Sequence, residues 1–447
     1  MAPEKKWGVA HYRVLGTLYF AYFSSIFSRT AVQISLAAMA ADPTVNFTPA
    51  MTATVLSSGA GMQTASKLLG VSVISKLGPH LAYVFSMCLM FSSITLMTTP
   101  IFGTFNFPRF VAGWMGNMWA AATMWPCLTS ISGEAFKDNG FSSAVGILST
   151  SSRIGAILGN LVWGPLSAKL NWVNLIRAGS LFPLVSIFAL KYLIMPLPAA
   201  ASSSSDQMAT SSGPPAADQP ATSDAAAAEP KVPFGTAMKI FAKNPRLWMV
   251  YFTQTMMTLL LETQALLPVY LRQGAGMSAA AAGAMAAVYP FGAAGATVLG
   301  GAIFDRFTGM KRAAVFGIEH VVALGGLGML AAAPAAPTSF ALLLIMAGSA
   351  PTFYLISAEY INRYAGPDYS GTLMSWLDVP GQFANIIFMG AYPGLVQRGG
   401  WSLVFRTLQG TTLCGSAACL AYLVWDAYDP TTIFTKKLGA RAKKASD

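Results

Sequence analysis

The sequence is short of charge, of histidine and of cysteine, and each shortage excludes a class of protein. Only 10% of its 447 residues are charged, whereas soluble domains carry about 25%, which excludes a water-soluble globular protein. The four cysteines form no CxxC pair, and the three histidines occur in no HExxH motif, so the common zinc and redox sites are not predicted. No phosphate-binding loop and no Ser/His/Asp set is recognisable, which argues against an ATP-driven pump and a membrane hydrolase. No cofactor and no metal are expected.

Apolar residues dominate instead. Hydrophobic residues make up 54% of the chain and the mean hydropathy is +0.53. A membrane-spanning helix needs about 20 mostly apolar residues, and twelve stretches meet this need. They lie at 14–39, 51–75, 81–99, 106–131, 142–166, 176–195, 246–270, 279–304, 313–333, 339–363, 371–396 and 402–426. The prediction is an all-α membrane protein with twelve transmembrane helices in two six-helix halves.

The segment 196–235 separates the two sets of six. It consists mainly of Ala, Ser, Pro, Asp and Gln, a composition that cannot bury enough apolar surface to become ordered. We therefore expect an N-terminal half over 1–195, a disordered linker over 196–235, a C-terminal half over 236–430 and a basic tail over 431–447. Most of the 28 lysines and arginines fall on the side of the two termini, which places both termini in the cytoplasm.

The net charge of +11 follows from this loop asymmetry. Because the sequence has no zinc-finger spacing, no RNA-binding signature and no continuous basic helix, nucleic acid is not an expected partner. The segment Asn46-Phe47-Thr48 forms a glycosylation sequon in the first predicted outer loop, and whether it is used stays open. A plasma membrane or an endomembrane is the predicted location rather than a plastid, and a monomer is expected.

Three positive charges interrupt the predicted spans, namely Arg29, Lys67 and Arg153. A charge near the bilayer centre costs at least about 2.5–3.5 kcal/mol, and Arg29 lies about 22 Å along its span at 1.5 Å per residue. Such a charge persists where it faces a water-filled cavity. Arginine offers phosphate or carboxylate a planar fork of donors, and lysine adds a point charge. We expect these residues to bind an anionic substrate, with internal ion pairs as the alternative.

Glu262 is the most informative acidic residue, because it lies mid-span with no charged partner close by in sequence. It could carry a proton that is coupled to transport, or bind an ammonium group of the substrate. It could also form a salt bridge with one of the three cations. Glu319 and Asp378 lie within predicted spans as well.

The loop after the eighth span reads GGAIFDRFTGMKR over 300–312 and resembles the loop signature of the major facilitator superfamily. The resemblance implies a cytoplasmic latch that holds one conformation, formed by Gly301, Asp305, Arg306 and Arg312. The equivalent loop of the first half, GVSVISKLGPH, lacks the Asp-Arg pair, so a weaker latch is expected there.

Several stretches resemble the organophosphate:phosphate antiporter family within that superfamily. They are FSRTAVQISLAAM, SKLLGVSVISKLGPHLAYVFSM, WMGNMWAAATMWPC, PVYLRQGAGMS and AEYINRYAGPDYSGTLMS. Residues 29–39 and 359–375 are also similar to the phosphate and organic anion:cation symporters. The resemblance implies that Arg29 and Lys67 belong to a phosphate site. The antiporters' seventh-span arginine is missing, with Leu260 near its place, and Arg153 could supply the missing cation.

The predicted function is secondary active transport of a small organic anion: a phosphate ester, phosphate or a carboxylate. Transport would proceed by alternating access, as anion exchange or coupled to protons. The expected partners are the anionic substrate, membrane lipid, and inorganic phosphate or protons as counter- or co-substrate. Two alternatives stay open, a transporter of a zwitterionic substrate and a receptor or scaffold of the same fold that transports nothing.

Overall fold

A computed structural model of the chain describes residues 7–99, 105–136, 141–194, 239, 241–356, 360 and 366–429. These residues form twelve long helices, which confirms the predicted all-α class and its two sets of six. The predicted linker 196–235 and the predicted tail 431–447 lie outside the described residues.

The N-terminal half contains helices α1 to α6, with the bounds Val9–Ala40, Pro49–Leu77, Pro79–Thr98, Phe107–Ala135, Phe141–Leu166 and Trp172–Ala189. The C-terminal half begins with α7 to α10, with the bounds Pro245–Glu262, Ala279–Arg306, Gly309–Ala332 and Ser339–Pro351. Its last helical stretch, Gly366–Tyr428, is broken at Gly399 and Gly400. We call its two parts α11 (366–398) and α12 (401–428). Gly400 has φ +64°, a conformation that glycine adopts without steric cost.

Short polar residues start many of these helices. The side chains of Asn106, Asn171, Ser278 and Thr338 each accept a hydrogen bond from a backbone N–H of the first turn, as N-cap residues do. Prolines at the first positions of α2, α3, α4 and α7 lose no helical bond there. The sequence therefore determines where most helices begin.

Among the described residues, five helices (α3, α6, α8, α9 and α10) are long and apolar enough by composition alone to cross a membrane. The remaining helices are less apolar because some of them contribute polar side chains to the interior. Arg29 of α1, Gln63 of α2 and Glu262 at the end of α7 are examples, and all three line one central cavity.

The two halves meet along two helix pairs, α5 with α8 and α2 with α11. At the end of the bundle opposite the N-terminus, the α5 and α8 backbones touch at Gly164 and Gly283. A Cβ atom added to Gly283 would lie 2.6 Å from the carbonyl oxygen of Asn160 and 2.8 Å from the Cα atom of Gly164. Only glycine permits this approach, so the halves are packed backbone to backbone at that end.

We expect Gly283→Ala to lower the melting temperature of the purified protein by several degrees and to slow transport, because overpacking a close contact costs about 1–3 kcal/mol. Gly295→Ala is the matched control in the same helix, since its added Cβ would meet no atom within 4 Å. Equal melting temperatures and equal transport rates for the two variants would show that the close α5–α8 contact is unimportant.

Candidate functional site

A cavity of about 160 Å³ lies between the two halves near their centre. Helices α1, α2, α4 and α5 line it from one half, and α7, α8, α10 and α11 line it from the other. Its charged lining residues are Arg29, Arg153 and Glu262, and its amide-bearing lining residues are Gln33, Gln63, Gln264 and Asn385. Because both halves contribute, a ligand in this cavity would contact both of them at once.

Irregular backbone shapes the wall from the C-terminal half. Helix α7 ends at Glu262 and continues as a 3₁₀ turn, Thr263–Ala265, followed closely by Pro268. Helix α10 ends at Pro351 and continues as a π-helical turn, Thr352–Ile356. Proline has no N–H group for the helical ladder, and π turns occur often at functional sites. Both irregular segments supply side chains to the cavity.

Arg29 and Arg153 are brought together in the lining of the cavity, as the substrate-site prediction requires. Within the described part of the chain, neither guanidinium forms an ion pair or a hydrogen bond. The guanidinium carbon of Arg153 lies 4.8 Å from the ring centroid of Tyr354, which belongs to the other half. This cation–π contact holds the side chain in place and leaves its donors available. The cavity thus contains two permanent positive charges that form no ion pair within the described part of the chain, and one carboxylate, Glu262, in the same lining.

Glu262 faces the same cavity from the end of α7. Its Oε1 atom accepts a hydrogen bond of 3.2 Å from Nε2 of Gln382 on α11. Among the described residues, no cation lies within ion-pair distance of this carboxylate. The salt bridge that the sequence left open is therefore absent from this conformation, and a role for Glu262 toward a proton or a substrate stays a prediction.

Lys67 lies outside the cavity lining. Its Nζ atom is 2.7 Å from Oδ2 of Asp378 on α11, and Nε2 of Gln254 on α7 donates to the other oxygen of that carboxylate over 3.3 Å. Lys67 is one helical turn beyond Gln63, toward the predicted cytoplasmic end of α2. The structure therefore places Lys67 in an ion pair that joins the two halves, which is the alternative that its sequence context left open.

The four predicted latch residues lie at the end of α8 and the start of α9. Nε of Arg312 donates to the carbonyl oxygen of Phe307 over 2.9 Å, and a second Arg312 nitrogen donates to that of Phe304 over 3.2 Å. Arg312 thus binds the last carbonyl groups of α8, where a cation is favourable. Arg306 is exposed, and the surroundings of Gly301 and the side chain of Asp305 lie outside what the structure describes. The latch remains a prediction.

Sequence reasoning missed the amide side chains. Gln63 and Asn385 line the cavity and Gln382 donates a hydrogen bond to Glu262, yet only their polarity inside apolar spans could have indicated them.

The sequence analysis also missed an ion-pair cluster within the C-terminal half, where Arg246 at the start of α7 lies 2.9 Å from Asp429 and 3.6 Å from Asp426. The side chain of Arg246 is only 4% exposed, so this cluster ties α7 to α12.

Two six-helix halves around a central polar cavity are the architecture of an alternating-access transporter. The sequence profile of the Major Facilitator Superfamily matches residues 18–389, and the chain belongs to that family of secondary transporters. It is accordingly an integral multi-pass membrane protein and a transporter, not an enzyme.

Solved structures share this fold at low sequence identity. The nucleoside transporter NupG matches with a TM-score of 0.65 and 14% identity, over 92% of this chain and 98% of that chain. A D-xylose-proton symporter matches with a TM-score of 0.63 and 13% identity, over 93% of this chain and 96% of that chain. A POT family transporter in complex with 5-aminolevulinic acid matches with a TM-score of 0.67 and 11% identity, over 92% of this chain and 96% of that chain. A search of curated proteins finds no significant match. The structural similarities show the fold and leave the substrate unspecified.

Proposed function

We propose that this transporter moves a small organic anion across the membrane by alternating access, and that Arg29 and Arg153 bind the anionic group. One observation carries the proposal: both arginines line a cavity between the halves without an ion-pair partner among the described residues, and the one carboxylate in that lining, Glu262, balances only one of the two charges. A buried charge without a partner is costly, and guanidinium groups match the geometry of phosphate and carboxylate. An anionic ligand would satisfy both groups at once.

The proposed substrate class is a phosphate ester, phosphate or a carboxylate. The sequence resemblance to organophosphate:phosphate antiporters around Arg29 supports this class, although the second arginine of that family is missing from α7. Arg153 on α5 supplies the second cation in the present cavity. Transport then takes the form of anion exchange, with inorganic phosphate as counter-substrate, or of transport coupled to protons. Both termini are placed on the cytoplasmic side, as the charge distribution favours.

A thermal-shift screen with purified protein tests this proposal. We expect one or more phosphate esters or carboxylates to raise the melting temperature, because a ligand that binds only the folded state stabilises it by mass action. Arg153→Gln should lose that stabilisation, whereas Arg398→Gln, which changes an exposed arginine, should keep it. Stabilisation only by neutral compounds, or an equal response of both variants to the anion, would contradict the proposed function.

A further inference from the structure

We propose that the substrate carries a hydrogen-bond donor at the end opposite its anionic group. This donor is an ammonium group, whose N–H groups Glu262 and Asn385 accept together, or a hydroxyl, whose single donor one of the two accepts. The inference rests on the proposed function and narrows its substrate class. It follows from the charges of the two cavity walls, which are positive on the N-terminal half and negative on the C-terminal half.

The charges of the cavity are separated by half. Arg29 on α1 and Arg153 on α5 belong to the N-terminal half, whereas Glu262 at the end of α7 belongs to the C-terminal half. Among the described residues the carboxylate forms no ion pair with either arginine. The N-terminal wall therefore carries the positive charges of the cavity, and the C-terminal wall carries its negative charge.

Gln382 orients the carboxylate of Glu262, the acceptor on the C-terminal wall. Its side-chain N–H group donates to Oε1 of Glu262 over 3.2 Å, which sets the orientation of the amide and directs its own oxygen away from the carboxylate. Gln382 is only 3% exposed, and its Oε1 atom has no hydrogen-bond donor. A carboxylate has about four acceptor positions, so the single bond from Gln382 leaves Glu262 able to accept further donors. Gln382 is thus a positioning residue for Glu262.

Asn385 adds a second acceptor one helical turn further along α11. It lines the cavity and is 3% exposed, and its Oδ1 atom is buried with no donor. Buried acceptors that lack a donor cost free energy that a suitable ligand recovers. An ammonium group bound at the C-terminal wall has donors for both Glu262 and Asn385, whereas a hydroxyl has a donor for one of them.

The same wall disfavours a simple anion. An anion without a donor would bring its charge toward the carboxylate of Glu262, which forms no ion pair among the described residues, and such repulsion is a common source of specificity. A ligand with both kinds of group would instead bind the N-terminal half by its anion and the C-terminal half by its donor. Its binding free energy then favours a conformation in which the two halves close around it.

Two matched ligand series test the inference, with Kd measured by calorimetry on the purified protein. The first comprises ethyl, 2-hydroxyethyl and 2-aminoethyl phosphate, and the second comprises propionate, 3-hydroxypropionate and 3-aminopropionate. In the wild type we expect the hydroxyl or amino member to bind at least about tenfold more tightly than the parent, the effect of one hydrogen bond to a charged group such as the carboxylate of Glu262.

Three variants assign this preference to the C-terminal wall. Asn385→Leu and Glu262→Leu should reduce it, and Glu262→Gln, which keeps the shape and loses the charge, should abolish a preference for the amino member. Glu262→Gln also serves if Glu262→Leu does not fold. Met389→Leu is the matched control, because Met389 lines the same cavity from α11 without an acceptor of comparable strength.

The outcomes separate the inference from the proposed function. Equal affinity for all members of a series, or a preference that survives in Glu262→Leu, Glu262→Gln and Asn385→Leu, overturns the inference and leaves anion transport intact. If no phosphate or carboxylate binds the wild type, the proposed function fails and the inference fails with it. A preference for the hydroxyl or amino member that is lost in the C-terminal variants supports both.

Discussion

Replacement of Arg29 by alanine is expected to reduce substrate transport by about 100-fold or more while the protein still folds and reaches the membrane. Arg29 lines the central cavity without an ion-pair partner among the described residues, so its removal breaks no internal ion pair. Hydrogen bonds to charged groups contribute about 1.5–3 kcal/mol each, and a guanidinium can form two of them with one anion. Uptake into proteoliposomes with the best-binding anion is the measurement.

Two controls accompany the Arg29 variant. Arg29→Lys keeps the charge but loses the planar fork, so an intermediate loss is expected. Arg398→Ala removes an exposed arginine and should leave uptake unchanged. Uptake at the wild-type rate by a correctly folded Arg29→Ala protein would show that the anion binds elsewhere.

A second large effect is expected at the ion pair between Lys67 and Asp378. The two side chains are 21% and 24% exposed and their charged atoms are 2.7 Å apart. Removing one member of a largely buried pair costs about 3–5 kcal/mol, because the remaining charge loses its partner. The pair joins α2 to α11, so Lys67→Ala should destabilise the conformation in which these helices touch and should slow transport strongly.

The exchange of the two charges distinguishes a structural pair from a substrate site. In the double variant Lys67→Asp with Asp378→Lys, we expect transport to recover much of the loss, because the pair can form again and the amide of Gln254 can present its oxygen instead. If Lys67 bound substrate directly, the exchange would place a carboxylate there and transport would stay lost. Gln254→Leu is a milder control, since it removes only the 3.3 Å hydrogen bond to Asp378.

The positions of the helices could be predicted because each span is a long stretch of mostly apolar residues, even where polar side chains lower its mean hydropathy. Each of the twelve predicted spans coincides with a helix, and the predicted and observed bounds mostly differ by a few residues. Part of the site could be predicted as well, because permanent charges inside apolar spans require an explanation. Arg29, Arg153 and Glu262 met that criterion, and all three line one cavity.

The remaining parts of the site depend on contacts between distant segments. Lys67 and Asp378 are 311 positions apart in the chain, and nothing local to either indicates their pairing. The amides Gln382 and Asn385 carry no charge, so their cost inside a span is small and their signal in the sequence is weak. The π turn after Pro351, and the side chains that it directs to the cavity, follow only from the structure.

A structure of the protein with its best-binding anion tests the central claim most directly. We expect the anionic group between Arg29 and Arg153, within hydrogen-bonding distance of both guanidinium groups, and in contact with both halves of the bundle. An anion bound outside this cavity, or inside it with both arginines directed away from the ligand, would contradict the claim.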